Sequence, residues 1–169
     1  MSIINHRHGG AGAAAYAASN MIRTIEQTDS WLQYIKGNAS DISLLRKALL
    51  QAFFDIDVAM RAFQTHEKTD DMSGCTSVTA MITPKHIICA NAGDSRCVLG
   101  TNNMAKAMSE DHKPNNELEQ KRIELAGGRV QWKRVDGDLA VSRGLGDFRY
   151  KARADLGPKE QKVCTRPYK

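Results

Sequence analysis

Hydrophobic and polar positions follow two different periods along this chain, and the change near residue 70 separates a helical part from a strand-rich part. From Ala11 to about Glu26 an alanine-rich segment carries Tyr16, Met21, Ile22 and Ile25, and alanine has the best helix propensity, so this segment predicts a helix. Residues 28–40 are mixed, with a turn at Gly37-Asn38. Ser40 or Asp41 then caps a longer helix, in which Ile42, Leu45, Leu49, Phe53, Ile56, Met60 and Phe63 recur at three- or four-residue steps. Such a stripe belongs against a core, and its Met and aromatic members read as packing residues. The polar run His66 to Ser73 reads as a loop.

Beyond it the period shortens. The mostly apolar runs Ser77 to Ile82, His86 to Ala90, Arg96 to Leu99 and Met104 to Met108 are separated by Thr83-Pro84-Lys85, Gly93-Asp94-Ser95 and Gly100-Thr101-Asn102-Asn103, which predicts an antiparallel meander. A short helix follows over Glu117 to Ala126 and ends at Gly127-Gly128. Arg129 to Val135 and Asp138 to Val141 flank Asp136-Gly137, a two-residue hairpin signal. Residues 150–169 read as an irregular tail. Helices first and strands after predict an α+β domain, with helices layered on antiparallel sheet.

Composition narrows this to one globular unit, since 169 residues with 41% hydrophobic content bury a single core. No run of about 18 apolar residues is present, which argues against a membrane span, and the N-terminus lacks a secretory pattern. The expectation is a soluble intracellular protein, cytoplasmic or nuclear. Cys75, Cys89, Cys97 and Cys164 include no C-x-x-C pair and read as reduced structural thiols. Residues 1–84 carry seven basic and eight acidic side chains, and residues 85–169 carry seventeen and eleven. The second half therefore attracts anions, whether as a solvated basic face or by steering phosphorylated substrates. Few aromatics and no basic cluster interleaved with them speak against nucleic acid.

The candidate chemistry lies in turns. Ala92-Gly93-Asp94-Ser95-Arg96 places an acid and a base between two apolar runs, and Leu139-Ala140-Val141-Ser142-Arg143-Gly144-Leu145-Gly146-Asp147 repeats the design with glycines before an acid. With His8-Gly9-Gly10, Ser73-Gly74-Cys75-Thr76, Asp111-His112-Lys113-Pro114 and Glu124-Leu125-Ala126-Gly127-Gly128 in the same order, the chain resembles the metal-dependent serine/threonine phosphatases of the protein phosphatase 2C (PPM) family across nearly its whole length. The resemblance implies two central antiparallel sheets packed face to face with helices outside. It also implies hydrolysis of phosphoserine and phosphothreonine in proteins by a water held between two Mg²⁺ or Mn²⁺ ions, with phosphorylated proteins or peptides as partners.

The resemblance departs from the family at the metal site. The family block that matches His6-Arg7-His8 begins Asp-Gly-His, and its Asp bridges the two ions; here His6 stands in that place and Arg7 replaces the Gly. A neutral imidazole does not supply two anionic oxygens to hard cations. Family metal motifs expected before residue 1 and after residue 169 are not in the sequence, so the fold is expected to be truncated at both ends. Asp94 matches the position of an additional, weaker metal. His8 matches the histidine that acts as general acid, against the alternative of a helix cap or an exposed terminal residue. Arg96 and Arg143 are either phosphate contacts or partners of neighbouring carboxylates, and Asp147 organises its turn. The pair His6 and His8 is a low-specificity signal for a borderline metal, and His86 and His112 receive no role.

Three readings follow. The chain is a phosphatase whose missing ligands come from a partner chain that completes the sandwich, a non-catalytic phosphatase-like binding module, or a fragment of a full-length phosphatase. The last is ranked first, with the chain impaired or inactive alone and marginally stable.

Overall fold

A computed structural model describes residues 1–37 and 39–167 of the chain. Three helices come first. The α1 helix, Gly12–Glu26, buries Ala13, Ala17, Met21 and Ile25 at four-residue spacing. Its own N-cap supplies no side-chain bond, and the Ala13 N–H instead donates to Ser73 Oγ at 2.9 Å. The α2 helix, Asp29–Lys36, corrects the mixed reading of residues 28–40. Thr28 Oγ1 accepts from the Trp31 N–H, Asp29 sits in the first turn and Lys36 in the last, which suits the helix dipole at both ends. Gly37 closes this helix; Asn38, the other half of the expected turn, lies outside the described residues.

The α3 helix, Ile42–His66, has Asp41 as its cap, accepting from the Ser43 N–H. Leu45, Leu49, Phe53, Ile56 and Met60 of the expected stripe are buried, whereas Phe63 stays half exposed and its ring lies 5.2 Å from that of Tyr16.

The strands are β1 Ser2–Ile4, β2 Arg7–His8, β3 Gly74–Cys75, β4 Ser77–Ile82, β5 Ile87–Ala92, β6 Val98–Thr101, β7 Met104–Ala107, β8 Val130–Gln131, β9 Arg134–Val135 and β10 Leu145–Gly146. One sheet has the order β1-β4-β5 and another β10-β3-β2, all antiparallel. Side chains of α1, α2 and α3 form one core with Cys75, Met81, Ile88, Ala90, Ala92 and Leu145. The α4 helix, Glu117–Leu125, joins a second core through Ile123, with Val135, Leu139, Val141, Tyr150 and Val163. The fold is α+β, as its pattern predicts. All four cysteines are free thiols.

Two turn readings are corrected. The meander breaks after β5, because among the described residues β6 and β7 pair only with each other. Gly93 turns there with φ +121°, packed so closely that a Cβ would lie 2.5 Å from Thr76 Cγ2. The Gly93 carbonyl accepts from the His112 N–H and from Asn91 Nδ2, which ties the strand exit to residues 110–112 and away from the next strand. The hairpin expected at Asp136-Gly137 instead turns at Trp132-Lys133, with β8 paired to β9 as Val130↔Val135 and Gln131↔Arg134. Trp132 and Lys133 both have positive φ, the backbone that a two-residue hairpin turn requires. Asp136-Gly137 makes a second turn that closes a single bridge, Val135↔Leu139. Residues from Lys151 onward are irregular but anchored, with Val163 and Cys164 buried and Arg143 bridged to Cys164; Tyr168 and Lys169 lie outside the described residues.

Candidate functional site

Strands β2, β3 and β10 are two residues each, and their pairing brings three loops together. Arg7 and His8 pair with Cys75 and Gly74, and Leu145 and Gly146 pair with the same two residues from the other side. This sets His8 and Asp147 on either side of Gly74. Gly74 is glycine for a steric reason: a Cβ there would lie 2.1 Å from Asp147 Oδ2. Asp147 is held in left-handed backbone at φ 52°, its N–H donating to the Ser73 carbonyl, and it is only 2% exposed. Its Oδ2 lies 2.7 Å from His8 Nε2.

This pair lines a cleft of about 310 Å³ whose wall also carries His6, Asp94, Asp138, Arg134 and Arg149. His6 is exposed and fixed through its backbone, since its carbonyl accepts from the Thr76 N–H at 3.0 Å. Thr76 Oγ1 in turn lies 2.6 Å from Ser95 Oγ, beside the half-buried Asp94. Asp138 is committed to Tyr150 Oη and Arg149, which together hold its carboxyl below the usual range.

The other residues singled out by sequence lie around the cleft rather than in it. Arg96 makes a two-pronged pair with Asp111, both bonds 2.9 Å. Arg143 donates to Glu119 and to the Arg166 carbonyl. Glu119 is 3% exposed and also takes bonds from Arg122 and the Ser142 hydroxyl. Burial alone would push this carboxyl up; the two guanidiniums and the hydroxyl outweigh it and bring it to about 2.

Sequence reading missed the groups that hold these turns from behind. Asp57, on α3, accepts from Lys151 Nζ at 2.9 Å and from the Gly146 N–H at 2.8 Å, and Lys151 also donates to the Gly144 carbonyl. Burial pushes the Asp57 carboxyl up against the pull of Lys151. The available signal was an acid placed directly after Ile56 in the apolar stripe. His112 is 4% exposed and its Nδ1 accepts from the Gly93 N–H at 3.2 Å. Burial and the nearby Arg143 bring its imidazole down to about 4.

The donor set decides whether the cleft suits divalent ions. No group of three or more His, Cys, Asp or Glu side chains converges on a metal position among the described residues. Of the cleft's possible ligands, His8 and Asp147 bond each other and Asp138 is taken by Arg149 and Tyr150. His6 and Asp94 are left, facing a cleft that two guanidiniums also line. Hard ions such as Mg²⁺ and Mn²⁺ require several oxygens, so these residues do not fit an ion pair.

Comparison with known proteins gives a consistent result. A family model described as protein phosphatase 2C matches residues 2–168. "Protein phosphatase 2C homolog 2" of Schizosaccharomyces pombe is 42% identical over 161 residues, which is 95% of this chain and 40% of that protein. Human "Protein phosphatase 1B" is 40% identical over 163 residues, again 95% of this chain and 34% of its own length. The crystal structure of a serine-threonine phosphatase 2C from Toxoplasma gondii superposes with a TM-score of 0.81 at 19% identity, covering 98% of this chain and 61% of that one. A C. elegans sex determining protein superposes at 0.76 with 24% identity, over 98% and 38%. The chain thus spans well under half the length of these curated relatives.

Proposed function

Since this chain belongs to the protein phosphatase 2C family, we propose that it carries the phosphate-facing and proton-handling side of a serine/threonine protein phosphatase, whose substrates are phosphoserine and phosphothreonine in proteins. The observation that carries this reading is the 2.7 Å contact between His8 Nε2 and Asp147 Oδ2 at a cleft that also holds Asp94. Asp147 fixes the orientation of the imidazole through that contact. In a complete phosphatase, where a water attacks phosphorus as the P–O bond to the serine or threonine oxygen breaks, His8 would give that leaving oxygen a proton from its other ring nitrogen. Arg134 and Arg149 supply guanidinium donors to the phosphate. The family implies Mg²⁺ or Mn²⁺ dependence. Because His6 and Asp94 do not make up an ion pair's ligand set, we expect this chain alone to bind a phosphopeptide without hydrolysing it.

A binding module without catalysis is the second reading, favoured by the two arginines and by His6 in the cleft. A partner chain that brings further carboxylates would return the first. The test uses a fluorescent phosphothreonine peptide and the purified chain, with anisotropy for binding and released phosphate for turnover in saturating Mn²⁺. The expected result is binding that weakens about tenfold in Arg149→Ala, with release no faster than in buffer. Manganese-dependent release abolished by His8→Gln would make the chain a complete enzyme. Failure to distinguish the phosphorylated peptide from its unphosphorylated form would overturn both readings.

A further inference from the structure

A second cleft, of about 440 Å³, lies between β5, the β6–β7 hairpin and the start of α3. Arg46, Lys85, His86 and Lys106 stand around it, Ile87 and Leu99 supply apolar surface, and among the described residues no carboxylate lines it. Arg46, Lys85 and Lys106 form no ion pair among the described residues. It shares no lining residue with the His8 cleft.

The backbone adds a second feature. Among the described residues β5 is the edge of its sheet and is paired with β4 alone. Successive side chains of a strand point to opposite faces, so one face contributes every second residue to a cavity. Here three consecutive residues of β5, Ile87, Ile88 and Cys89, line the cleft together with Lys85 and His86 of the turn before it, so the cleft runs along the first half of the strand's edge. An open edge offers unpaired N–H and C=O groups to an added strand.

We propose that this cleft takes an acidic peptide segment with aliphatic residues interspersed, added as a strand to the free edge of β5. Main-chain hydrogen bonds to β5 give the affinity. Carboxylates of the peptide meet Arg46, Lys85 and Lys106, and an aliphatic side chain rests on Ile87 and Leu99. Charge complementarity selects this occupant, since the cationic Arg46, Lys85 and Lys106 line the cleft and no acidic side chain among the described residues offsets them. A nucleic acid would lack stacking partners, because no aromatic residue among the described residues lines the cleft.

The experiment uses the full chain and a fluorescein-labelled decapeptide of alternating Glu and Val, read by anisotropy. The expected result is saturable binding that weakens about tenfold in the exposed double variant Arg46→Glu, Lys106→Glu, with circular dichroism confirming that the variant folds. Two N-methylated peptides keep the test decisive on the native chain alone. Methylation of alternate residues in one phase blocks pairing with β5 and costs at least tenfold, whereas the other phase leaves affinity unchanged. Equal affinity of both methylated peptides and the parent, equal binding of dextran sulfate, or no saturable binding would overturn the proposal. An excess of phosphothreonine peptide is expected to leave the interaction unchanged, and displacement of the decapeptide by it would also overturn a separate site.

Discussion

Gly74 has no side chain because the Asp147 carboxylate occupies the volume that a Cβ would need, 2.1 Å away. The neighbour is a buried carboxylate bonded to His8 and cannot swing into solvent. Gly74→Ala is therefore expected to cost about 1–3 kcal/mol, the usual range of overpacking, seen as a lower urea midpoint; an unchanged midpoint would contradict this packing. His112 gives a pH-dependent counterpart. Its imidazole is at about 4 in the folded chain against the ordinary 6.5, so the unfolded chain takes up the proton first. Its contribution is complete above pH 6.5 and is lost as pH falls toward 4, by about 2 kcal/mol between pH 7 and 5. Glu119, at about 2 against 4.5, loses its contribution at lower pH still. Thermal melts from pH 7.5 to 5 should show a falling Tm that flattens in His112→Asn, and a pH-independent Tm would contradict the burial argument.

Among the elements, α3 carries the largest share of the work. Its apolar stripe was legible because burial imposes a three-to-four-residue period on a helix, and its cap was legible because Asp41 precedes it. Its polar task was not legible: Asp57 meets Lys151 and Gly146 some ninety residues later, and no local pattern encodes a contact over that distance. Removing one partner of such a buried pair leaves the other charge uncompensated, so Asp57→Ala should destabilise by about 3–5 kcal/mol. Asp57→Leu combined with Lys151→Met should cost clearly less than the sum of the single changes in a double-mutant cycle, and strict additivity would show that the pair is uncoupled. The α2 helix was missed for a different reason. Eight residues with half-exposed faces give a weak period, and its start depends on Thr28, which also occurs in loops. The hairpin was placed one turn too late because Trp132-Lys133 adopts positive φ without glycine or asparagine to announce it.

At the level of the whole molecule, two cores are visible, one under α1 to α3 and one under α4. Sequence order predicted the α+β class, and the family resemblance singled out His8 and Asp94, with Asp147 as a turn organiser; the three line one cleft. The cleft's arginines were not predicted, since Arg134 and Arg149 sit in a hairpin and after a glycine turn with no spacing that points to a shared site. Apolar surface remains open on this molecule outside the basic cleft: Ile82 at the end of β4 is 71% exposed, and Ile4 at the end of β1 is 61% exposed. Open apolar edges of this kind favour association, so sedimentation velocity should show a concentration-dependent increase in mass, and a monomer at all concentrations would contradict it.

The central claim is that the cleft built by His6, His8, Asp94 and Asp147 lacks the oxygen ligands for a pair of divalent ions. Manganese binding followed by electron paramagnetic resonance tests it most directly, because two ions in one site give a spin-coupled signal distinct from that of a single ion. The account predicts weak uptake with only uncoupled Mn²⁺. Stoichiometric uptake of two ions with a coupled spectrum, lost in Asp94→Asn, would contradict it.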